Sequence, residues 1–288
     1  MKYKVSVLIP TKNEEDNLEE CIKSVLWADE IIVFDSYSID NTIQIAQNFG
    51  AKIIQRKFNN FSSHKNWALR NIKFQNSWLL LLDGDERVDD KLFKEITTIL
   101  QNPKADGYYI ARKNYFMGKW MKYGGWYPDW ALRLFKHNLA YYEERIVHER
   151  LIINGKVGYL NNPIIHLDFK GLERYFDRHN TYSSLEAIEA YNTISKPRRE
   201  YSLKQVIFKN GPELRWALKE IGYKYIPCRS LLKFVWMYFF RLGFMNGRIG
   251  FRFCILHSFY EYQISLKLEE LKNSNSAFYK KYKNYIQG

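Results

Sequence analysis

Cysteine is scarce in this chain of 288 residues, because Cys21, Cys228 and Cys254 are the only three. Their odd number and wide separation argue against a disulfide framework and against a cysteine-based metal site. We therefore expect three reduced thiols and a cytoplasmic protein. Long apolar runs are lacking too, since the sequence contains no uncharged apolar stretch of about 18 residues. This absence predicts that the chain does not span a membrane.

The amino terminus is too weakly apolar for a secretion signal. Residues 5–9 are apolar, but Pro10 and the polar residues after it end the run, so a buried first strand is predicted. A glycine-rich phosphate loop is also missing after that strand, where the sequence reads Pro-Thr-Lys-Asn-Glu. This argues against a nucleotidyltransferase that makes sugar nucleotides, which is the alternative enzyme class.

What the sequence has in excess is positive charge, and the excess is local. The chain carries a net charge of +13, yet residues 195–288 hold 18 lysines and arginines against 6 acidic residues. The remainder is almost balanced. This asymmetry predicts an anionic partner for the carboxyl-terminal part alone.

The first hundred residues alternate between strand and helix patterns. Apolar runs at 5–9, 30–35, 51–55 and 78–82 predict buried strands, and they are separated by helical patterns at 14–28, 41–49, 63–72 and 88–100. Asp40 is expected to cap the second helix and Gly50 to end it. The pattern predicts an α/β fold with a parallel sheet covered by helices on both faces.

Residues 107–166 have a short, β-like pattern, and the chain from Gly171 onward is mainly helical. Helices are predicted at 172–191, 203–221, 230–244 and 251–271. The basic stretch near 196–199 is the predicted boundary. We expect a catalytic domain at 1–195 and a helical, basic extension at 196–288.

Three polar clusters follow strands of the predicted sheet, at 10–14, 35–36 and 83–86. Ligands of such sheets bind beyond the carboxyl ends of the strands, so the clusters predict one shared site. Asp83 and Asp85 can hold Mg²⁺ or Mn²⁺ together with a diphosphate, and Gly84 allows close approach of the backbone. Asp35 ends a fully apolar strand and is a second candidate in this site.

The motifs Val-Ser-Val-Leu-Ile-Pro-Thr-Lys-Asn-Glu, Asp-Ser-Tyr-Ser-Ile-Asp-Asn-Thr and Leu-Leu-Asp-Gly-Asp-Glu, in this order, resemble glycosyltransferase family 2. That family contains inverting enzymes of the GT-A fold. Segments 124–129, 133–135 and 147–149 resemble a narrower group, the lipopolysaccharide core β-1,4-glucosyltransferases that add glucose to heptose. The resemblance covers residues 3–195, and more loosely 242–248.

The resemblance implies roles for individual residues. Those placed along the donor nucleotide are Pro10, Thr11, Asn13, Glu14, Asp35, Ser36, Lys65, Asp83 and Gly84. Asp85 would be the direct metal ligand, and Asp83 would reach the ribose or the metal. Apart from the resemblance, His148 and His166 are candidates for a further metal ligand, although most isolated histidines are structural. The family's general base is an acceptor-side carboxylate, for which Glu149 and Asp129 both remain candidates. Trp126 and Tyr127 could stack on a sugar ring or pack in the core.

In the carboxyl-terminal part, residues 231–241 and 251–262 are apolar, aromatic and interrupted by cations. Such segments suit a membrane interface, although they could also pack on the catalytic domain. An RNA-recognition signature is missing, so a nucleic acid partner is not expected.

The resulting prediction is a metal-dependent inverting hexosyltransferase, transferring glucose from UDP-glucose to a heptose of the lipopolysaccharide inner core. It would act at the cytoplasmic face of the inner membrane, as a peripheral protein with a glycolipid acceptor and an anionic membrane surface as partners. A non-catalytic basic module that binds membrane or nucleic acid is the third hypothesis.

Overall fold

The structure is a computed structural model that describes residues 2–143, 151–167, 171–195 and 228–286. It divides into two compact units, residues 1–169 and residues 170–288. The helix at 172–195, which the sequence analysis placed in the catalytic domain, belongs to the second unit. The division therefore falls earlier in the chain than residues 195 and 196.

The first unit is built on a mixed sheet. Its strands, within the described residues, are β1 (Tyr3–Thr11), β2 (Ala28–Asp35), β3 (Lys52–Gln55), β4 (Trp78–Leu81), β5 (Glu86–Arg87), β6 (Gly107–Phe116), β7 (Lys119–Trp120) and β8 (Asp129–Lys136). A separate antiparallel pair, β9 (Ala140–Tyr142) and β10 (Leu151–Ile153), follows, and β11 (Val157–Tyr159) and β12 (Ile164–His166) return to the main sheet.

The strand order is β3-β2-β1-β4-β8-β6-β12-β5, with β7 and β11 also paired to β6. Strands β3, β2, β1 and β4 are parallel, whereas β8 is antiparallel to both β4 and β6. The four apolar runs thus form the parallel half, as predicted. The segment 107–166, predicted to be β-like, supplies most strands of the other half, in which parallel and antiparallel pairs are mixed.

Helices cover both faces of this sheet because alternate strand residues point to opposite sides. The helices are α1 (Glu15–Lys23), α2 (Thr42–Asn48), α3 (Phe61–Asn71) and α4 (Asp90–Gln101). Val5, Val7 and Ile9 of β1 share one core cluster with residues of α1, α2 and α4. Leu8 between them belongs to the opposite cluster, with Ala68 of α3. The predicted layering is confirmed.

Two details of the predicted helices differ. The helix predicted at 14–28 ends at Lys23, and Ala28 already opens β2. Asp40 accepts a hydrogen bond from the Thr42 amide at the start of α2, rather than from deeper in the first turn. Gly50 does end that helix, at a φ of +67° that favours glycine.

The second unit contains α5 (Leu172–Ser195), α6 (Arg229–Val235), α7 (Gly247–Leu271) and α8 (Ala277–Ile286). Its core cluster joins residues of α5 and α7, with aromatic side chains of α8 packed against it. The helix predicted at 230–244 is wrong as one continuous element. A π-helical turn occupies Trp236–Phe240, Leu242 is left-handed, and a short 3-10 turn precedes α7.

Gly243 lies in this break and fits there because it lacks a side chain, since a Cβ at that position would lie 2.7 Å from the Met237 carbonyl oxygen. The helix predicted at 203–221 lies outside the described residues. Within the described ranges, none of the helices has the length and apolar character needed to cross a membrane.

Candidate active site

The carboxyl ends of β1, β2 and β4 lie at one edge of the sheet, because the three strands are parallel neighbours. Thr11 pairs with Asp35 in the strand register. Only Leu82 separates Asp83 from the end of β4. The polar clusters that the sequence placed in one site are therefore neighbours. They form the candidate active site.

Asp35 is fully buried and holds this edge together. Its Oδ1 accepts hydrogen bonds from the Thr11 and Ser38 hydroxyls, and its Oδ2 accepts from the Ser38 amide and the Gln55 side chain. All four donors belong to the protein. A buried carboxylate with this many donors fixes the shape of the loop after β2.

The loops after β1 and β2 are joined by further hydrogen bonds. The Lys12 ammonium donates to the carbonyl oxygens of Ser36 and Tyr37. The Asn13 side-chain oxygen accepts from the Ile39 backbone amide, and the Asn13 backbone amide donates to the Ser38 hydroxyl. Asn13 is left-handed, with a φ of 54°. Pro10, half-buried, precedes this joined pair of loops and pairs with Phe34 of β2.

His64 on α3 lies behind Ser36, at 3.2 Å from Nε2 to the serine hydroxyl. Its other ring nitrogen, Nδ1, lies 3.0 Å from an Arg56 guanidinium nitrogen, which can only donate. Nδ1 is therefore the acceptor, and Nε2 carries the proton and donates to Ser36. Burial, with the nearby charges of Arg56 and Lys65, lowers the pKa of His64 to about 4.

The turn after β4 carries a buried ion cluster. Arg133 of β8 donates to Asp83 Oδ2 at 2.5 Å and to Glu86 Oε1 at 2.6 Å, and the Asp83 amide donates to Glu86 Oε2 at 3.0 Å. Glu86 is fully buried, whereas Asp83 keeps 34% of its side-chain surface exposed. Arg133 thus fixes the turn through both carboxylates, while Asp83 remains in partial contact with the solvent.

Opposing effects act on these two carboxyl groups. Burial would raise the pKa of Asp83, but the positive charges of Arg133 and Lys65 outweigh it and hold the pKa well below its usual range. Burial raises the pKa of Glu86, and the charge of Arg133 reverses that increase only in part.

Gly84, which follows Asp83 in the turn, packs closely on Glu14, because a Cβ at Gly84 would lie 3.0 Å from Glu14 Cγ.

Asp85 faces His166 of β12, with 3.5 Å between Oδ1 and Nε2. His166 Nδ1 lies 2.6 Å from Asn114 Oδ1, and the Asn114 amide group donates to Asp129 Oδ2 at 3.2 Å. Because that amide group faces Asp129, the Asn114 oxygen must accept, so His166 carries a proton on Nδ1. Nε2 is the ring nitrogen turned toward Asp85.

Burial would lower the pKa of His166, but the attraction of its protonated ring to Asp85 and Glu86 outweighs burial and raises it. An imidazole nitrogen and a carboxylate oxygen 3.5 Å apart can both reach one divalent cation at metal–ligand distances of about 2.1 Å. Three or more potential His, Cys, Asp or Glu ligands do not cluster anywhere in the described ranges. Two protein ligands plus substrate phosphates suit Mg²⁺ or Mn²⁺, so the residues fit the predicted metal.

Asp129 begins β8 on the far side of Asn114, where Arg112 binds its Oδ2 at 2.6 Å. Trp126 and Tyr127, in the loop just before it, are half-buried, and Tyr127 meets Trp120 edge to face. Lys65 lies over the Tyr142 ring, 5.2 Å from its centre. Glu149 and His148, predicted as base and metal candidate, lie outside the described residues.

Four residues without an individually predicted role support this arrangement, namely Glu86, Asn114, Arg133 and His64. Glu86 lies in the predicted cluster at 83–86 and Arg133 in the resembling segment at 133–135, but the sequence does not reveal that they pair. For Asn114 and His64 the sequence signal is only a polar residue inside or beside an apolar strand or helix, which says nothing about the partner.

Comparison with known proteins assigns the chain. The model of the glycosyl transferase family 2 matches residues 6–154, and the chain belongs to this family. An uncharacterised glycosyltransferase of Rickettsia typhi is 28% identical over 98% of this chain and 93% of its own. The lipopolysaccharide core biosynthesis glycosyltransferase LpsC of Rhizobium meliloti is 26% identical, over 68% of this chain and 75% of its own length.

Among solved structures, Staphylococcus aureus TarS 1–349 is similar over 94% of this chain and 91% of its own, with 14% identity and a TM-score of 0.46. The chain is thus a glycosyltransferase of family 2. Its similarity to LpsC agrees with the predicted resemblance to the lipopolysaccharide core group. Its mixed sheet, with helices on both faces and a helical carboxyl-terminal part, agrees with the GT-A fold that was predicted for a member of this family.

Proposed function

We propose that this protein is a metal-dependent inverting hexosyltransferase that uses a UDP-hexose, UDP-glucose first, as its donor. The observation that carries the proposal is the approach of Asp85 to His166 beside the Asp83 turn, at the edge of the sheet where ligands of such folds bind. Crystal structures of TarS with UDP-GlcNAc, and of a mycobacterial glucosyl-3-phosphoglycerate synthase with UDP-glucose and Mn²⁺, agree with this choice of donor and metal.

In the proposed reaction, Asp85 and His166 would hold the divalent cation, which would neutralise charge on the departing nucleoside diphosphate. The protein's own contribution is orientation. Arg133 holds Asp83 and Glu86, so that the turn keeps its shape, and Asn114 keeps the proton of His166 on Nδ1. The donor nucleotide would lie along the joined loops after β1 and β2, from Pro10 to Glu14 and at Asp35 and Ser36.

Inversion requires a carboxylate that takes a proton from the attacking hydroxyl. Asp129 is a candidate within the described residues, because both contacts with Arg112 and Asn114 fall on its Oδ2 and leave Oδ1 for an acceptor. Glu149 remains the other candidate. The aromatic loop with Trp126 and Tyr127 precedes Asp129 and would contact the acceptor sugar.

The acceptor that we propose is a heptose in the inner core of a lipopolysaccharide or lipooligosaccharide, in keeping with the similarity to LpsC. A lipid-borne acceptor would place the enzyme at the cytoplasmic face of the inner membrane, as a peripheral protein on an anionic surface. The charge asymmetry of the chain supports this location.

The test is sugar transfer by the purified protein from a panel of UDP-hexoses, with Mg²⁺ or Mn²⁺, to a heptose-terminated core acceptor. We expect a β-linked product from the α-linked donor, identified by NMR, and a loss of at least a hundredfold in rate for Asp85→Asn. Asp16→Asn makes the same chemical change at an exposed position of α1 and is expected to retain activity. Folded protein that transfers no hexose, or that retains the anomeric configuration, would contradict the proposal.

A further inference from the structure

Helix α7 is apolar on two faces. Phe253, Cys254, Ile264, Leu268 and Leu271 form the face that is buried in the second unit. On another face, residues three or four positions apart are all exposed and large, namely Phe251, Ile255, Phe259, Tyr262 and Leu266. Residues at this spacing form one continuous stripe along a helix. A helix at a protein surface normally presents polar residues there, so this stripe needs a partner.

The segment before α7 packs against the start of this stripe and carries further exposed apolar side chains. Phe234 and Tyr238 meet the Phe251 ring at 5.9 and 5.6 Å, and so connect this segment to the start of the stripe. Trp236 and Phe240 stack on each other and are 54% and 69% exposed. We call the combined surface the aromatic face; its further exposed members are Leu231, Leu232, Phe239, Leu242, Phe244 and Met245.

The charges around the aromatic face have one sign. Residues 228–260 contain five arginines and lysines and no aspartate or glutamate. Arg229 and Lys233 are paired with Glu261, at 2.5 and 3.7 Å. The other three cations, Arg241, Arg248 and Arg252, are exposed. An occupant of this face must therefore accept both aromatic side chains and positive charge.

We propose that the aromatic face is the surface by which this protein binds an anionic lipid bilayer. Tryptophan and phenylalanine favour the boundary between headgroups and acyl chains, and arginines beside them attract anionic headgroups. A second copy of the chain fits less well, because a two-fold contact of this face would bring its arginines near one another. The inference deepens the proposed function, since a lipid-borne acceptor would be presented at such a surface.

The experiment is co-sedimentation of the full chain with phosphatidylcholine vesicles, with and without phosphatidylglycerol, and with no donor or acceptor present. We expect binding that requires phosphatidylglycerol and weakens as salt is raised. Phe240→Ser combined with Phe259→Ser is expected to bind about a hundredfold more weakly. The matched control, Leu26→Ser with Val157→Ser, alters two exposed apolar side chains of the first unit and is expected to bind as the wild type does.

A second pair of variants separates local from overall charge. Arg241→Gln, Arg248→Gln and Arg252→Gln together are expected to weaken binding about a hundredfold. Lys272→Gln, Lys280→Gln and Lys283→Gln remove the same charge from exposed positions elsewhere in the second unit and are expected to have a much smaller effect.

Equal losses in test and control variants would overturn the proposal, as would folded wild-type protein that ignores anionic vesicles. A dimer in sedimentation analysis that Phe240→Ser converts to a monomer would assign the face to a second copy instead. Because neither donor nor acceptor is present, this outcome is separate from that of the transfer assay. Vesicle binding without sugar transfer would contradict only the proposed function, and transfer without vesicle binding only this inference.

Discussion

At the scale of single residues, the site depends on side chains that orient other side chains. Asn114 is the clearest case, because its amide lies between His166, the proposed metal ligand, and Asp129, the proposed base. Hydrogen bonds of this kind fix the orientation of a metal-binding histidine, and their loss typically lowers metal affinity by about 10- to 100-fold. We therefore expect Asn114 to act as a positioning residue.

We predict that Asn114→Ala weakens Mn²⁺ binding by about 10- to 100-fold in the presence of UDP. The change removes the acceptor that holds the His166 proton on Nδ1, so the ring can rotate or change tautomer. Calorimetric titration with Mn²⁺ measures the effect, and thermal unfolding shows whether the variant remains folded. Asn71→Ala, at an exposed position of α3, is the control. Unchanged Mn²⁺ affinity in Asn114→Ala would remove Asn114 from the metal site.

His64 gives a prediction for pH. Its pKa is about 4 in the folded protein, against an ordinary value of 6.5, because it is buried near Arg56 and Lys65. Between these values the unfolded chain binds a proton that the folded protein does not bind, so stability falls as the pH falls from about 6.5 to about 4. The loss contributed by His64 is roughly 3 kcal/mol at most.

We expect His64→Gln to have a shallower dependence of the unfolding free energy on pH over this window. Urea unfolding of both proteins at several pH values measures it. His257, whose pKa burial lowers to about 3, contributes equally to both proteins and cancels in the difference. Above pH 7 the difference between the two proteins should be constant. Parallel curves from pH 7 to pH 4 would show that His64 is not held neutral.

At the scale of elements, the turn between β4 and β5 depends on a neighbouring strand. Arg133 of β8 is 5% exposed and compensates Glu86, which is fully buried. We predict that Arg133→Met lowers the unfolding free energy by about 3–5 kcal/mol, because it leaves a buried carboxyl group without its cation. Adding Glu86→Gln should restore part of the loss. Chemical denaturation measures both effects.

The control for this prediction lies on the same strand. Lys136 of β8 pairs with Asp106 at 2.8 Å, but both side chains are about one third exposed. A surface ion pair of this kind contributes about 0–1 kcal/mol, so Lys136→Met should change stability little. Similar losses in the two variants would mean that burial of the Arg133 cluster is not what matters.

Elements also show what the sequence could and could not predict. The strands β1 to β4 are apolar runs of strand length, and their positions and parallel direction follow from that pattern and from the helices between them. The continuous helix predicted at 230–244 failed because apolar periodicity does not reveal the close contact between Gly243 and the Met237 carbonyl. Likewise, Asp83 and Asp85 could be found as a motif beside a strand. His166 could be named as a metal candidate and Arg133 as part of a resembling segment, but their contacts with Asp85 and Asp83 could not be predicted, because these depend on the pairing of β12 and β8 with the sheet.

At the scale of the whole molecule, binding of metal and of nucleotide should be strongly coupled. Within the described residues the protein offers a pair of facing ligands, Asp85 and His166, and the phosphates of the donor would complete the coordination. Each ligand therefore improves the binding of the other by the same factor. Coupling of this kind can be observed in the unfolding of the full chain, because a ligand that binds only the folded state stabilises it.

We predict that Mn²⁺ and UDP together raise the unfolding temperature by more than the sum of their separate effects. At a hundred times the dissociation constant, a bound ligand adds about 2.7 kcal/mol of stability, which is several degrees for a protein of this size. In Asp85→Asn the excess should disappear, while UDP alone should still stabilise through the loops after β1 and β2. Asp16→Asn should keep the full excess. Strictly additive effects in the wild type would mean that metal and nucleotide bind independently, and the cation would then have to lie away from the diphosphate.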